Sequence, residues 1–217
     1  MRYYFKVLIV AVLAVLSSAP LFAQGIEPDV TVKYADRDTC VLYMDIYEPD
    51  ASKVTCEDGK QRPTIVHVFG GGFKEGSRAE TWLRPWFREM NAKGYRMITI
   101  DYRLGLKGVR GVTQSEFARL LDNAINIAVE DLFSATEYLL KNGASMGIDP
   151  NNIVVTGSSA GAITVQQAEW EICNSTPMAA GLPEGFNYKG VMEFAGAVLW
   201  HLYTTQRPRD RTRTSMQ

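Results

Sequence analysis

The stretch Ile153-Val-Val-Thr-Gly-Ser-Ser-Ala-Gly161 decides the fold of this chain. Its first four residues form an apolar, β-branched run, and the helix-favouring stretch 162–171 follows its last glycine. A strand, a tight turn and a helix in this order are the setting in which a G-x-S-x-G pentapeptide presents a serine above a sheet. Gly157 and Gly161 are expected where a Cβ would clash with neighbouring backbone. The pattern therefore predicts that the Ser159 hydroxyl is pushed out of the sheet.

A second glycine cluster follows another strand-like run. Residues 64–69, Thr-Ile-Val-His-Val-Phe, lead directly into Gly70-Gly71-Gly72-Phe73. Acyl transfer places negative charge on the former carbonyl oxygen, and backbone N–H groups aimed at that oxygen are usually the largest electrostatic contribution to catalysis. A run of glycines lets the main chain come close enough to donate. An ordinary flexible turn would explain one such run alone, but the two clusters together favour an oxyanion-binding loop.

Together with two further motifs, these clusters make the sequence resemble the α/β-hydrolase superfamily, in its carboxylesterase and lipase branch with an HGGG-type oxyanion loop. Four stretches match in the family's order: Phe69-Gly-Gly-Gly-Phe73, Asp101-Tyr-Arg-Leu104, Gly147-Ile-Asp-Pro-Asn-Asn-Ile153 and Gly157-Ser-Ser-Ala-Gly161. The resemblance covers about residues 34–198. It implies an α/β fold, with a mostly parallel wound sheet in a three-layer sandwich.

The resemblance also implies a function and a set of site residues. Ser159 would be the catalytic nucleophile, and the oxyanion hole would be formed by the backbone N–H groups of Gly71, Gly72 and Ala160. The implied activity is serine hydrolysis of a carboxylic ester through an acyl-enzyme, with a small-molecule ester as substrate. Neither a cofactor nor a metal is expected, because two histidines and scattered carboxylates give no metal-ligand spacing.

The sequence departs from the family pattern in two ways. Phe69 stands where the family has a histidine before the glycines. That histidine is generally structural, so we expect altered loop packing and an intact oxyanion hole. The family's chain order is Ser, then Asp or Glu, then His, and the only histidine after Ser159 is His201. We therefore expect the last two strands and the triad acid and histidine to be absent, and turnover to be weak or undetectable.

Other roles stay open for the chain as a whole. A non-catalytic protein that keeps the cleft would bind ligand with an affinity that survives Ser159→Ala. A fragment without a function of its own would lack a cooperative thermal transition. An apolar sheet edge exposed at the sixth strand would argue against a stable binding protein. Ester identity and oligomeric state do not follow from these residues.

The histidines and acids outside the motifs are expected to be structural. His67 lies inside a strand, where a hydrogen-bonded core histidine is the expected role, and His201 lacks an acid to orient it as a base. Asp101 begins a strand-end motif that buttresses the nucleophile turn in the family. Asp122 and Asp131 lie on a long helix, where a solvated or capping role is expected.

The two ends of the chain differ from its centre. Arg2 and Lys6 precede an apolar stretch, and small residues surround Ala23, as in a secretory signal peptide cleaved after residue 23. A retained N-terminal anchor is the alternative, although the apolar run is short for a membrane span. We expect export, to the periplasm or the outside. Residues 24–200 form one incomplete hydrolase domain, and 201–217 form an arginine-rich tail that is disordered or non-native, or a basic arm for an acidic partner.

The charge balance and the cysteines constrain partners. Removing Arg2 and Lys6 from the 23 basic residues leaves 21 against 24 acidic residues, which argues against a nucleic-acid partner. Three cysteines fit an oxidising compartment without requiring a disulfide. Cys40 and Cys56 flank a strand-like segment and a polar turn, so that a bridge across this hairpin is one of two open outcomes.

Hydrophobic periodicity predicts the secondary structure between these ends. The predicted strands are 30–34, 41–47, 64–69, 95–102, 153–156 and a buried strand at 190–198, and the predicted helices are 81–92, 115–142 and 162–171.

Overall fold

The computed structural model describes residues 26–197, which form a six-stranded sheet with helices on both faces. The strands are β1 (Val30–Arg37), β2 (Cys40–Tyr47), β3 (Thr64–Val68), β4 (Met97–Ile100), β5 (Ile153–Ser158) and β6 (Gly190–Phe194). The α-helices of the described residues are α1 (Arg84–Ala92), α2 (Gln114–Asn142) and α3 (Ala160–Cys173). The signal peptide and the tail predicted above lie outside these residues.

The strand order is β1-β2-β4-β3-β5-β6. β1 pairs with β2 and β2 with β4 in the antiparallel sense, whereas β4, β3, β5 and β6 are parallel to one another. Parallel neighbours need crossover connections, which the intervening helices provide. The predicted α/β class, with a mostly parallel sheet and two antiparallel N-terminal strands, is confirmed.

Alternation along the central strands assigns their side chains to two helical layers. In β3, Ile65 packs in one apolar cluster with Phe87 of α1. Its neighbours Val66 and Val68 belong to the larger cluster, which includes Leu132 of α2 and contains residues of α3. Because successive residues of a strand point to opposite faces, α1 covers one face of the sheet and α2 with α3 covers the other. The result is the three-layer arrangement predicted from the sequence.

The long helix α2 has local signals for its start and its orientation. Thr113 is its N-cap, and the Thr113 hydroxyl accepts a hydrogen bond from the Glu116 N–H at 3.3 Å. A threonine followed three residues later by a glutamate is the capping-box sequence. The apolar stripe continues along one face, so Ile125, Leu132 and Leu139 are fully buried. The predicted helix at 115–142 is confirmed, and Phe117 and Leu121 of its first turns line the cleft described below.

Strand β6 differs from the prediction of a buried strand at 190–198. It ends at Phe194, and it is at the edge of the sheet in the described residues. Met192 is 37% exposed and Phe194 is 50% exposed, although the Phe194 ring lies edge-on to Trp86 of α1 with centroids 6.2 Å apart. The prediction of a strand here is confirmed, but the prediction that it is buried is wrong, because apolar composition alone does not establish burial.

The cysteines are unpaired in the structure. Cys40, Cys56 and Cys173 are all free thiols. Cys40 starts β2, whereas Cys56 lies in the loop beyond the end of that strand. β2 is a single extended strand of eight residues and not a hairpin, so it separates its two ends by about 23 Å. The suggested Cys40–Cys56 bridge is therefore not formed, and Cys173 is exposed at the end of α3.

Residues 26–197 contain no helix that is both long and apolar enough to cross a membrane. The same residues contain no group of three His, Cys, Asp or Glu side chains arranged to hold a metal ion.

Candidate active site

The turn between β5 and α3 holds Ser159 in a strained backbone conformation. β5 ends at Ser158, α3 begins at Ala160, and Ser159 between them has φ 51° and ψ −114°. A non-glycine residue in a sparsely populated region costs about 1–3 kcal/mol and persists only where its surroundings enforce it. The Ser159 N–H donates to Phe194 O at 2.8 Å, and Ser159 O accepts from the Ile163 N–H at 3.1 Å. These bonds hold the turn, and the Ser159 side chain remains exposed.

The two flanking glycines of this turn are required by contact with backbone atoms. A Cβ at Gly157 would lie 2.2 Å from Gly161 O, and a Cβ at Gly161 would lie 2.0 Å from Val68 O. Real Cβ atoms do not approach a carbonyl oxygen this closely, and backbone cannot move aside as a flexible side chain can. The expectation that both glycines avoid a clash with neighbouring backbone is confirmed. The contact to Val68 also shows that α3 begins directly against the end of β3.

The glycine loop that follows β3 lies against this turn. A Cβ at Gly70 would lie 2.9 Å from Ser158 O and 3.3 Å from Ser159 Cβ. The next residues, Gly71 and Gly72, have φ of 115° and 61°, a region that glycine enters without steric cost. The structure thus brings the two glycine clusters of the sequence together at the carboxyl ends of β3 and β5. This is the sheet edge at which α/β proteins bind ligands.

In the part of the chain that the structure describes, three backbone N–H groups near Ser159 have no hydrogen-bond acceptor. Within residues 26–197, the N–H groups of Gly71 and Gly72 donate no hydrogen bond, although Gly71 O accepts from the N–H groups of Lys74 and Glu75. Ala160 is the first residue of α3, and the first N–H groups of a helix have no intrahelical acceptor. The positive end of the helix dipole adds to the attraction of this point for negative charge.

Ser159 opens into a cleft of about 780 Å³ that is also lined by Gly71, Gly72 and Ala160. This volume is within the range of small-molecule sites. The ionisable side chains on its lining are Lys74, Glu75 and Arg110. Its apolar wall comes from the loop before α2, from the first turns of α2 and from α3, and includes Leu106, Val109, Phe117, Leu121 and Ile163. All four site residues expected from the sequence therefore line one cleft.

Phe69 occupies the position of the family's histidine and packs as an aromatic core residue. Its ring stacks on Tyr102 with centroids 4.3 Å apart. The Tyr102 hydroxyl donates to Phe69 O at 3.1 Å, so the same tyrosine supports both the side chain and the backbone at the start of the loop. At the other side of the glycines, Phe73 O accepts from the Leu106 N–H at 2.9 Å. The loop packing thus relies on stacked rings where the family uses an imidazole.

Asp101 does not buttress the nucleophile turn, contrary to expectation. Its carboxylate accepts from Arg78 Nη1 at 2.6 Å and from the Tyr43 N–H at 3.2 Å. Burial raises the pKa of Asp101, and the positive charge of Arg78 acts in the opposite direction. Arg78 Nε also lies 3.1 Å from the buried carboxylate of Asp45. Arg78 follows the glycine loop in the chain, so this ion-pair cluster belongs to the loop and not to the turn.

Asp131 is the acid whose environment differs most from the sequence-based prediction. It was expected to be solvated or to cap a helix, but its side chain is fully buried. It forms an ion pair with Arg103 at 2.9 Å and with Arg37 at 3.0 Å, and it also accepts from the Arg103 N–H. Two guanidinium groups and a backbone donor compensate the burial of this carboxylate. Asp131 therefore ties α2 to the end of β4 and to β1.

His67 lies in the core under α1, away from the cleft. The imidazole packs edge-on against Trp86 and Phe87, and neither ring nitrogen has a hydrogen-bond partner in the described residues. The expectation of a core histidine is confirmed, but the expectation that it would be hydrogen-bonded is wrong. Burial lowers the pKa of His67 from 6.5 to about 4, because the charged form would lose its hydration. His201, the other histidine, is outside the described residues.

The lowered pKa of His67 predicts a pH-dependent stability. The unfolded chain binds a proton near pH 6.5 and the folded chain only near pH 4, so stability is complete above pH 6.5 and decreases as the pH falls. The pKa difference corresponds to about 3 kcal/mol lost between pH 6.5 and pH 4. Urea unfolding of the parent chain and of His67→Leu at several pH values measures the difference. Parallel pH profiles for the two chains would contradict the prediction.

Comparison of the sequence with known proteins finds similarity to esterases. The sequence profile of the carboxylesterase family matches residues 22–210. Esterase E4 of Myzus persicae is 27% identical over 191 residues, which cover 87% of this chain and 30% of that protein. Secreted lipase 1 of Botryotinia fuckeliana is 28% identical over 160 residues, which cover 73% of this chain and 25% of that protein. The chain thus spans less than a third of the length of these relatives.

Two further comparisons concern a shorter match and the fold. Neuroligin-like protein glit-1 of Caenorhabditis elegans is 32% identical over 124 residues, which cover 57% of this chain and 15% of that protein. Among solved structures, the propionate-bound esterase Est2 of Thermogutta terrifontis superposes with a TM-score of 0.53 at 24% identity, covering 82% of this chain and 56% of that one. At this identity the structural likeness shows the fold alone.

Proposed function

Because the chain belongs to the carboxylesterase family, we propose that it transfers the acyl group of a carboxylic ester to Ser159. What supports this most directly is one juxtaposition. An exposed serine on a strained strand-to-helix turn shares a cleft with Gly71, Gly72 and Ala160, whose N–H groups donate to no acceptor among residues 26–197. A hydroxyl facing several free backbone donors is the arrangement that acyl transfer requires.

In the proposed reaction, Ser159 Oγ attacks the ester carbonyl carbon and loses its proton. The carbonyl oxygen becomes negatively charged and accepts hydrogen bonds from Gly71, Gly72 and Ala160. The carbon–oxygen bond to the alcohol then breaks, the alcohol leaves with a proton, and the acyl group stays on Ser159. Each oxyanion donor contributes about 3–4 kcal/mol to the transition state in enzymes of this type.

The proton of Ser159 needs a base, and the described residues do not place a histidine beside it. The only histidine of residues 26–197, His67, is buried under α1. Attack by Ser159 and the later attack of water on the acyl-serine both need such a base. We therefore expect residues 26–197 to acylate slowly and to deacylate more slowly still, so that acyl-Ser159 accumulates.

The proposal extends to substrate and location. The apolar wall of the cleft favours the hydrocarbon part of an ester, and the names of the relatives include esterases and a secreted lipase. We infer that residues 1–23 direct export of a hydrolase domain that occupies 24–200, with no cofactor and no nucleic-acid partner. Export is tested by whether secreted material begins at Gln24.

The function is tested by trapping the acyl-enzyme. The 217-residue chain is incubated with p-nitrophenyl butyrate, with and without added imidazole as an external base, and the modified residue is located by peptide mass spectrometry. We expect one butyryl group per chain, on Ser159, and faster modification with imidazole. No adduct in either condition, or butyryl groups spread over several serines and lysines, would contradict the proposed function.

Ligand binding without turnover is the second candidate. The observation that favours it is the absence of a histidine from the described lining of the cleft, which leaves Lys74, Glu75 and Arg110 as the ionisable groups. This candidate predicts that an amide analogue of the ester binds the parent chain and Ser159→Ala with equal affinity, while no acyl adduct forms. Calorimetric titration of both chains, beside the trapping experiment, separates the two.

A further inference from the structure

We propose that Arg78 is a positioning residue that fixes the glycine loop, Gly70–Gly76, against the sheet and so sets where the Gly71 and Gly72 amides point. The inference rests on the proposed function, because it assigns those amides to the oxyanion. The loop is closed on itself, its exit is tied to the sheet by Arg78, and the residues that flank its first three glycines are held independently.

The glycine loop is closed by backbone contacts between its two ends. Gly71 O accepts from the N–H groups of Lys74 and Glu75 at 3.0 and 3.2 Å. A Cβ at Gly71 would lie 2.0 Å from Glu75 O, and a Cβ at Gly76 would lie 2.5 Å from Gly70 O. Because the last residues of the loop touch its first residues, a displacement of Gly76 is transmitted to Gly70 and Gly71.

Arg78, two residues after Gly76, ties the end of the loop to the sheet. Its Nη1 donates to Asp101 at 2.6 Å, and its Nε lies 3.1 Å from Asp45 Oδ1. The guanidinium also lies over the ring of Tyr43, 5.4 Å from its centroid. Asp45 and Tyr43 belong to β2, and Asp101 directly follows β4. One side chain thus connects the loop to two strands of the sheet.

The two carboxylates that receive Arg78 are themselves held in place. Asp45 accepts from the Thr31 hydroxyl at 2.6 Å, and Asp101 accepts from the Tyr43 N–H at 3.2 Å. The Asp45 side chain is only 4% exposed. Partly buried charges hold their geometry better than surface pairs, because losing the partner leaves a charge in a poorly solvated site. The cluster is therefore a rigid anchor and not a mobile surface contact.

The residues on either side of Gly70–Gly72, which are Phe69 and Phe73, are held without Arg78. Tyr102 stacks on Phe69 and donates to Phe69 O, and Leu106 donates to Phe73 O. Loss of Arg78 is thus expected to leave Phe69 and Phe73 in place while Gly76 moves and shifts the backbone of the glycines that it touches. Such a shift changes the direction of the Gly71 and Gly72 amides without removing the cleft. A misplacement of about 1 Å in a catalytic group can cost about 100-fold in rate.

The test compares acylation of Ser159 by p-nitrophenyl butyrate, with imidazole present, in the parent, Arg78→Met and Arg78→Lys. We expect the maximal rate constant of Arg78→Met to fall about 10- to 100-fold, while the half-saturating ester concentration changes little. Arg78→Lys should recover a large part, since an ammonium can still pair with Asp101. Arg96→Met is the control: it removes another partly buried arginine, with its ion pair to Glu48 and its bond to Gly147 O, away from the loop.

Hydrogen–deuterium exchange of the peptide containing residues 70–76 decides the inference independently of catalysis. Faster exchange of this peptide in Arg78→Met than in Arg96→Met, with both chains folded by circular dichroism, is the expected result. Equal exchange in the two variants overturns the positioning role, as does an unchanged acylation rate. If Arg78→Met does not fold, Arg78→Lys is compared with Arg96→Met instead, and a smaller but measurable increase in exchange of the 70–76 peptide is expected, because an ammonium replaces only part of the guanidinium contacts to Asp101 and Asp45. Failure of the parent to acylate Ser159 would instead count against the proposed function.

Discussion

Ser159→Ala is expected to abolish the butyryl adduct, whereas Ser158→Ala is expected to retain it. The two serines are adjacent in the chain, but only Ser159 occupies the strained position with φ 51°, exposed in the cleft. Ser158 is the last residue of β5, and its hydroxyl lies against Gly70, whose Cβ position is 3.3 Å away. Intact-protein mass spectrometry after incubation with the ester measures the adduct in each chain.

The Ser158 variant controls for the loss of a hydroxyl group at the same turn. It should unfold at nearly the temperature of the parent, so a difference in labelling between the variants reports position and not folding. Modification of Ser159→Ala at the parent's rate would mean that another nucleophile takes the acyl group. Loss of the butyryl adduct in both Ser158→Ala and Ser159→Ala would mean that the turn, and not the Ser159 hydroxyl, governs the reaction.

Gly161→Ala is expected to destabilise the fold by about 3 kcal/mol or more, although alanine is the better helix former. Helix propensity alone would favour alanine by about 1 kcal/mol at a helical position. The new Cβ would, however, lie 2.0 Å from Val68 O and 2.6 Å from Phe69 O. Overpacking typically costs about 1–3 kcal/mol even where side chains can adjust, and here the obstacle is backbone of β3. Urea unfolding at neutral pH measures the loss.

Gly190→Ala provides the matched control for this glycine. Its Cβ would meet only a Val154 methyl at 3.8 Å, an ordinary van der Waals distance. We therefore expect a change within about 0.5 kcal/mol there, as for surface positions that touch nothing special. Comparable losses at both positions would show that the chain does not tolerate alanine for general reasons, and the proposed contact between α3 and β3 would lose its support.

Much of the fold was predictable because its signals are local. The β-branched run at 153–156 and the glycines around Ser159 specify a strand, a turn and a helix within one short segment. The Thr113–Glu116 capping box and the apolar stripe do the same for α2. The helix α3 begins two residues earlier than predicted, at Ala160, since the turn itself is only one residue long.

The candidate site was predictable in its membership but not in its support. Two glycine clusters at the ends of predicted parallel strands must meet at one sheet edge, which is why Gly71, Gly72, Ser159 and Ala160 line the same cleft. Phe117, which contributes to the apolar wall of the cleft, shows in the sequence only the periodicity of a helix face. A helix face indicates an apolar neighbour, but not whether that neighbour is the core or a ligand.

The ion pairs were not predictable from spacing. Arg78 and Asp101 are 23 positions apart, and Arg37 and Asp131 are 94 positions apart. No local pattern relates such partners, so Asp101 was assigned to the wrong neighbour and Asp131 to solvent. The Cys40–Cys56 bridge is not formed for a related reason: the sequence does not show that residues 40–47 form one extended strand and not a hairpin. His67 shows that burial can be predicted while hydrogen bonding is not.

We propose that an oxyanion on Ser159 is bound by the amides of Gly71, Gly72 and Ala160. The most direct test is a crystal structure of the chain after reaction with an alkyl p-nitrophenyl phosphonate. We expect phosphorus bonded to Ser159 Oγ, with the phosphoryl oxygen about 2.7–3.1 Å from those nitrogens. A phosphonate on another residue, or on Ser159 with its oxygen directed to solvent and away from the three amides, would contradict it.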